Sequence, residues 1–103
     1  MVKHIVFWNM KKEANGNDAA TNIKIAAAKL DEGAAQFPKL KSISHHTNIF
    51  SGGHYWDYVE EMVFEDVEAL KEWKEFPPHV ALHDFVEEVR EARAAVDYEF
   101  DEL

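Results

Sequence analysis

Cysteine is absent from the 103 residues, which excludes disulfides, thiolate nucleophiles and cysteine-ligated zinc or iron–sulfur centres. Arginine occurs only at Arg90 and Arg93 in a chain of formal charge −9. With no basic stripe to meet a phosphate backbone, nucleic acid is a poor partner, and so is an anionic membrane. No apolar run approaches the roughly 18 residues of a membrane span, so none is expected. The chain enters an alternating apolar segment at once, without the basic and apolar regions of a secretion signal, and a cytoplasmic location is the expectation. The final Phe100-Asp101-Glu102-Leu103 echoes a reticulum-retention signal, but without a leader it reads as coincidence. Serine is confined to positions 42, 44 and 51, with no Gly-x-Ser-x-Gly elbow. Asn15-Gly16 and Gly52-Gly53 read as turns, because neither leads from strand to helix in a phosphate-binding fingerprint.

What is present suits one small domain over residues 1–103. Hydrophobic residues make up 47% and aromatics 13%, enough for a core. A chain of this length buries only roughly 60–70% of the surface its unfolded form exposes, so a second copy is a natural support. Charge is unevenly spread. Residues 1–50 hold seven lysines against four carboxylates, whereas residues 51–103 hold sixteen carboxylates against four cations. The acidic excess after residue 57 reads as a solvated surface that keeps the protein soluble.

Val2 to Met10 alternates as a strand, with His4, Val6 and Trp8 on one side and Ile5 and Phe7 on the other. Bulky residues on both sides predict a strand covered on both faces. Asn17 or Asp18 is placed to cap a helix running to about Gln36, where Pro38 ends it. Strands are predicted over residues 40–50 and 58–64. Asp66 should cap a short helix with Leu70 and Trp73 inward, broken by Pro77-Pro78. A further helix follows from about His79 to Glu91, with Leu82, Phe85, Val86 and Val89 inward, and a last strand covers residues 94–100. The order βαββαβ predicts a ferredoxin-like α+β fold: a four-stranded antiparallel sheet with helices on one face. Two such sheets packed on their bare faces would form a homodimeric α/β barrel.

Several segments resemble the Dabb family, the stress-responsive dimeric α/β-barrel domain. Val2-Lys3-His4-Ile5-Val6-Phe7-Trp8 is similar to its opening strand, and Phe37-Pro38-Lys39-Leu40-Lys41-Ser42-Ile43 to its helix-to-strand passage. Val63-Phe64-Glu65-Asp66-Val67-Glu68-Ala69-Leu70 resembles its strand-to-helix junction, Pro77-Pro78-His79-Val80 its His-Pro-x-His segment, and Val96-Asp97-Tyr98-Glu99 its closing strand. The resemblance implies a ferredoxin-like monomer in a homodimeric barrel. Some such proteins are stress-associated without known chemistry, and a few plant members are cofactor-independent polyketide cyclases. In the cyclases a histidine after the proline and a tyrosine on the preceding helix act across a pocket that a first-strand histidine lines. By position, His79 matches the catalytic histidine and His4 the first-strand one. Trp73 stands at the tyrosine, Tyr58 at a third-strand histidine, and Phe76 at the first histidine of His-Pro-x-His.

The acid–base set is therefore incomplete. A histidine titrates near neutrality and suits proton transfer. Trp73 offers an indole N–H and more bulk where a phenol would serve an oxyanion, and Tyr58 could replace that phenol from the opposite wall. His79 could equally hold the Pro-Pro turn by hydrogen bonding, and His4 could be a satisfied core histidine. Glu60 alternates with Tyr58 and Met62 and should face inward, where a carboxylate needs a donor such as His4 or His79. A bulge would instead turn Glu61 inward. His79 and His83 are four apart on one helix, but no spacing matches a zinc pattern, and neither metal nor cofactor is expected.

These readings give a stress-responsive A/B-barrel protein with a small apolar pocket. The pocket would be lined by Val6, Trp8, Met62, Trp73, Leu82 and Phe85 and would take a small hydrophobic or aromatic ligand. The alternative is a cofactor-independent cyclase-like or lyase enzyme. There His79 is the general base, Tyr58 and His4 orient the substrate, and Glu60 tunes a histidine. A purely structural oligomer would share the fold with no open pocket.

Overall fold

A computed structural model describes residues 1–101; Glu102 and Leu103, the end of the retention-like tetrapeptide, lie outside the described residues. Strand β1 (Val2–Met10) buries every second residue, and Lys3, Ile5, Phe7 and Asn9 between them are half-buried. A two-residue hairpin follows, β2 (Glu13–Ala14) with β3 (Asn17–Asp18). Its turn puts Asn15 at φ 54° and Gly16 at φ 76°, the left-handed pair that a tight hairpin demands. Asp18 caps helix α1 (Ala19–Ala34) by accepting from the Thr21 amide at 2.8 Å.

Strand β4 (Leu40–Thr47) and strand β5 (Tyr58–Phe64) form the central hairpin. β4 stops at Thr47, short of the expected Phe50. Asn48 ends it by donating to the Trp56 carbonyl at 2.7 Å and accepting from the Phe50 amide at 2.9 Å, which leaves Ile49 90% exposed in the loop. Asp66 caps helix α2 (Val67–Glu75) through the Ala69 amide at 2.8 Å. Helix α3 (Pro77–Val89) starts at the prolines instead of after them. Proline at the first helical position gives up only an N–H that has no partner there. Strand β6 (Arg90–Glu99) closes the chain.

The sheet order is β4-β5-β1-β6, with every neighbouring pair antiparallel. The fold is the ferredoxin-like α+β arrangement. The core lies between the helices and one sheet face and contains Val6, Trp8, Met62, Phe64, Leu30, Trp73, Leu82 and Val86. Gly33 lets α1 approach the α2–α3 corner. A Cβ there would sit 3.1 Å from the Pro78 Cβ and 3.4 Å from the Trp73 ring. The opposite sheet face carries Ile5, Phe7, Val59, Val63, Val96 and Tyr98, and Val96 and Tyr98 are exposed.

Candidate active site at the edge of the sheet

Strand β1 passes between β5 and β6, and its register decides which side chains meet. His4 lies opposite Met62 on β5 and Asp97 on β6. All three point toward the helices, where His4 is buried. Its Nδ1–H donates to the Asp97 carboxylate. A carboxylate only accepts, so Nδ1 carries the proton and Nε2 is the free nitrogen of the neutral ring. Burial lowers the His4 pKa below the ordinary value, outweighing the opposing pull of Asp97. Lys74 of α2 lies 4.0 Å from the other Asp97 oxygen.

His79 sits in the first turn of α3 against Trp73, with ring centroids 5.1 Å apart. Its Nδ1–H donates to the Lys74 carbonyl at 3.2 Å, which again leaves Nε2 free. Burial pushes its pKa down to about 4, so the ring is neutral at pH 7. Both histidines line a cavity of about 340 Å3 whose other walls are Lys74, Val80, His83 and Arg93. Below it is a pocket of about 20 Å3, where Val6, Trp8, Leu82, Val86 and Glu60 join the two histidines. The mouth is basic and the apolar wall lies deep.

Glu60 faces inward, but it does not pair with His4 or His79 as expected. It stands opposite Val6 on β1 and His45 on β4, while Asp97 occupies the His4 donor. Its Oε2 has no hydrogen-bond partner among the described residues, and burial pushes its pKa up to about 8, opposed only in part by Arg93. No bulge turns Glu61 inward; Glu61 faces Lys3 on the outer side. Tyr58 is also separated from the histidines. It stacks on Trp8 at 4.9 Å and lies 6.0 Å from the His45 ring, and it lines neither cavity. Its buried hydroxyl has no partner among the described residues, and burial raises its pKa.

Of the expected lining residues, Val6, Trp8 and Leu82 reach the deep pocket. Met62 and Trp73 are core instead. Trp73 is 1% exposed among Phe37, Phe64 and Phe76 and occupies the space a smaller ring would leave open. Phe85 packs on the core under the Lys29 ammonium, 5.7 Å from the ring centroid. Sequence reasoning missed Asp97, Lys74, Val80 and Arg93 as site residues and weighed His83 only as a metal ligand. The parity of the last strand was the available signal. Arg93, Asp97 and Glu99 share one side, and Ala94, Val96 and Tyr98 the other. Among the described residues no group of three or more potential ligands could hold a metal ion.

A search of the curated proteins finds no match. Solved structures do match. A dimeric ferredoxin-like protein of unknown function from Jannaschia sp. CCS1 is 25% identical, with 96% of this chain and 98% of that one covered, at a TM-score of 0.76. A dimeric ferredoxin-like protein of unknown function from Thermobifida fusca YX is 15% identical, covering 96% and 90% at a TM-score of 0.80. The hydroxynitrile lyase of Passiflora edulis is 18% identical, covering 99% and 94% at a TM-score of 0.82. The two lower identities speak for the fold alone. The stress responsive A/B barrel domain matches residues 2–100, which include every strand and helix and both cavity histidines, and the chain belongs to that family, Dabb.

Proposed function

We propose that the chain acts as one homodimeric cytoplasmic unit that binds a small ligand with an apolar or aromatic part, without a cofactor, in the cavity between β6 and the α2–α3 corner. The observation that carries this reading is the side-by-side placement of His4 and His79 on one 340 Å3 cavity. A second acceptor, Asp97 or the Lys74 carbonyl, fixes the tautomer of each ring. A histidine serving only the fold would need neither an open wall nor a free Nε2. The apolar outer face supports the dimer. The test is a thermal-shift panel of small acyl and aromatic compounds on wild type and His79→Ala. At a hundredfold excess over its Kd a ligand stabilises by about 2.7 kcal/mol, and that gain should vanish in His79→Ala. Silence across the panel would refute the reading.

A second reading makes His79 the general base of a cyclase- or lyase-like reaction. It is favoured by one observation, the Nδ1–H bond to the Lys74 carbonyl, which presents a neutral imidazole with the Nε2 lone pair open to a proton. His4 would then help orient the substrate, and Glu60 would be a neutral carboxylic acid beneath it.

A further inference from the structure

The mouth of the cavity offers an unusual combination of donors and acceptors. Arg93 on β6 lies opposite Trp8 and faces the helix side of the sheet. Among the described residues no carboxylate lies within 4.0 Å of its guanidinium. Arg90, by contrast, is held by both Glu87 oxygens at 2.7 and 2.9 Å. Lys74 adds a second cation, and its only carboxylate neighbour among the described residues, Asp97, is committed first to His4. Two cations therefore face a cavity in a chain of charge −9: Lys74 at the limit of an ion pair with Asp97, and Arg93 with no carboxylate in contact among the described residues, Glu60 and Glu87 lining the pocket beneath it. On the same walls, His4 and His79 have used their N–H groups and have no partner at Nε2 among the described residues. A ligand that satisfies all four must bring an anion for the cations and a hydroxyl hydrogen for an imidazole nitrogen.

Resting on the reading of this cavity as a ligand site, we infer that its ligand is a small hydroxycarboxylate. The carboxylate is anchored between Arg93 and Lys74, and the hydroxyl donates to His79 or His4. Arg93 supplies a planar fork that meets a carboxylate with two parallel bonds. Lys74 supplies a point charge and is the weaker anchor. The apolar remainder of the ligand points toward the Val6, Trp8 and Leu82 wall of the deep pocket.

The experiment is a titration followed by backbone amide NMR shifts at His4, Lys74, His79 and Arg93, with three probes of nearly equal shape. Mandelate carries ring, hydroxyl and carboxylate; mandelamide lacks the charge; phenylacetate lacks the hydroxyl. Mandelate should bind at least about tenfold more tightly than either, which is about 1.4 kcal/mol per missing group. Arg93→Gln, an exposed edge-strand change, should abolish the preference of mandelate over mandelamide, and Lys74→Gln should reduce it less. Equal binding of all three overturns the hydroxycarboxylate assignment while leaving a ligand cavity in place. An unchanged preference in Arg93→Gln overturns the anchor. If no probe moves these amides, both this inference and the ligand-site reading fall.

Discussion

The two faces of the sheet come from the same strands and solve opposite problems. On the helix side, β1 presents Val2, His4, Val6, Trp8 and Met10, all buried. On the other side it presents Lys3, Ile5, Phe7 and Asn9, all half-buried. The covered face holds two ionisable side chains that burial shifts toward their neutral forms, His4 and Glu60, beside hydrophobic residues. The open face places Ile5, Phe7, Val59, Val63, Val96 and Tyr98 where water reaches them. A few polar groups are thus enclosed in an apolar core while apolar groups lie open on the other face, and neither suits a self-sufficient monomer. The difference teaches that the helix face is built for a site and the other for a surface.

The largest expected effect comes from breaking the covered face at Trp73, which separates the His79 mouth from the aromatic core of Phe37 and Phe64. Trp73→Ala should cost about 3–5 kcal/mol through lost burial and the cavity left behind. For a domain of this size that lowers Tm by roughly 10 °C or more, read by calorimetry. The hole would also wet His79, so its pKa should climb from about 4 toward the ordinary 6.5. A Tm within a degree of wild type would show that Trp73 does not seal the interior.

Glu60 gives the next effect, and its sign separates it from the histidines. Its carboxyl titrates near 8 when folded and near 4.5 when unfolded, so between those values the folded state holds the extra proton. Stability from this group is complete below pH 4.5 and is lost as pH rises to 8, by up to about 1.4 kcal/mol per pH unit. His79 runs the other way. It titrates near 4 folded and 6.5 unfolded, so its contribution grows as pH rises through that window. The two slopes oppose each other from pH 4.5 to 6.5, and Glu60 acts without that opposition from 6.5 to 8. Glu60→Gln should therefore flatten the decline between pH 6.5 and 8 in chemical denaturation. A decline as steep in the variant as in wild type would mean that Glu60 titrates normally.

Much of this architecture is legible in the residues themselves. The alternation of β1, the Asp18 and Asp66 caps and the inward parity of Glu60 depend on local periodicity, which tertiary context did not override. The pairings of the site are less legible. Whether His4 meets Glu60 or Asp97 depends on how far β1 slides along β5 and β6, and a strand does not print its register. Likewise the tyrosine-for-histidine exchange at position 58 reads as a possible pocket contact. Only the register that sets Tyr58 opposite Trp8, while His4 faces Met62, and the stacking of Trp8 on Tyr58 reveal that this ring stands away from the two histidines. Trp73 reads as a lining residue from its position alone, and only its surroundings of Phe37, Phe64 and Phe76 make it core.

The smallest change in monomer stability, and the sharpest test of the open face, comes from two exposed valines. Val96 on β6 is 53% exposed on the outer sheet face, and Val67 at the start of α2 is 37% exposed on the helix side. In an isolated monomer, lysine at either position should change stability by no more than about 0.5 kcal/mol. A second copy packed sheet to sheet makes them unequal. The face around Ile5 and Val96 would then be the centre of an interface, for which burial of about 1,600 Å2 in total is the ordinary scale, and a lysine there would be stripped of water with no partner. Wild type and Val67→Lys should scatter light as twice 11.9 kDa, and Val96→Lys as a single copy with near-native secondary structure. Equal masses for the two variants would separate the apolar face from dimer formation. A wild-type monomer at micromolar concentration would leave that face without the partner its composition demands.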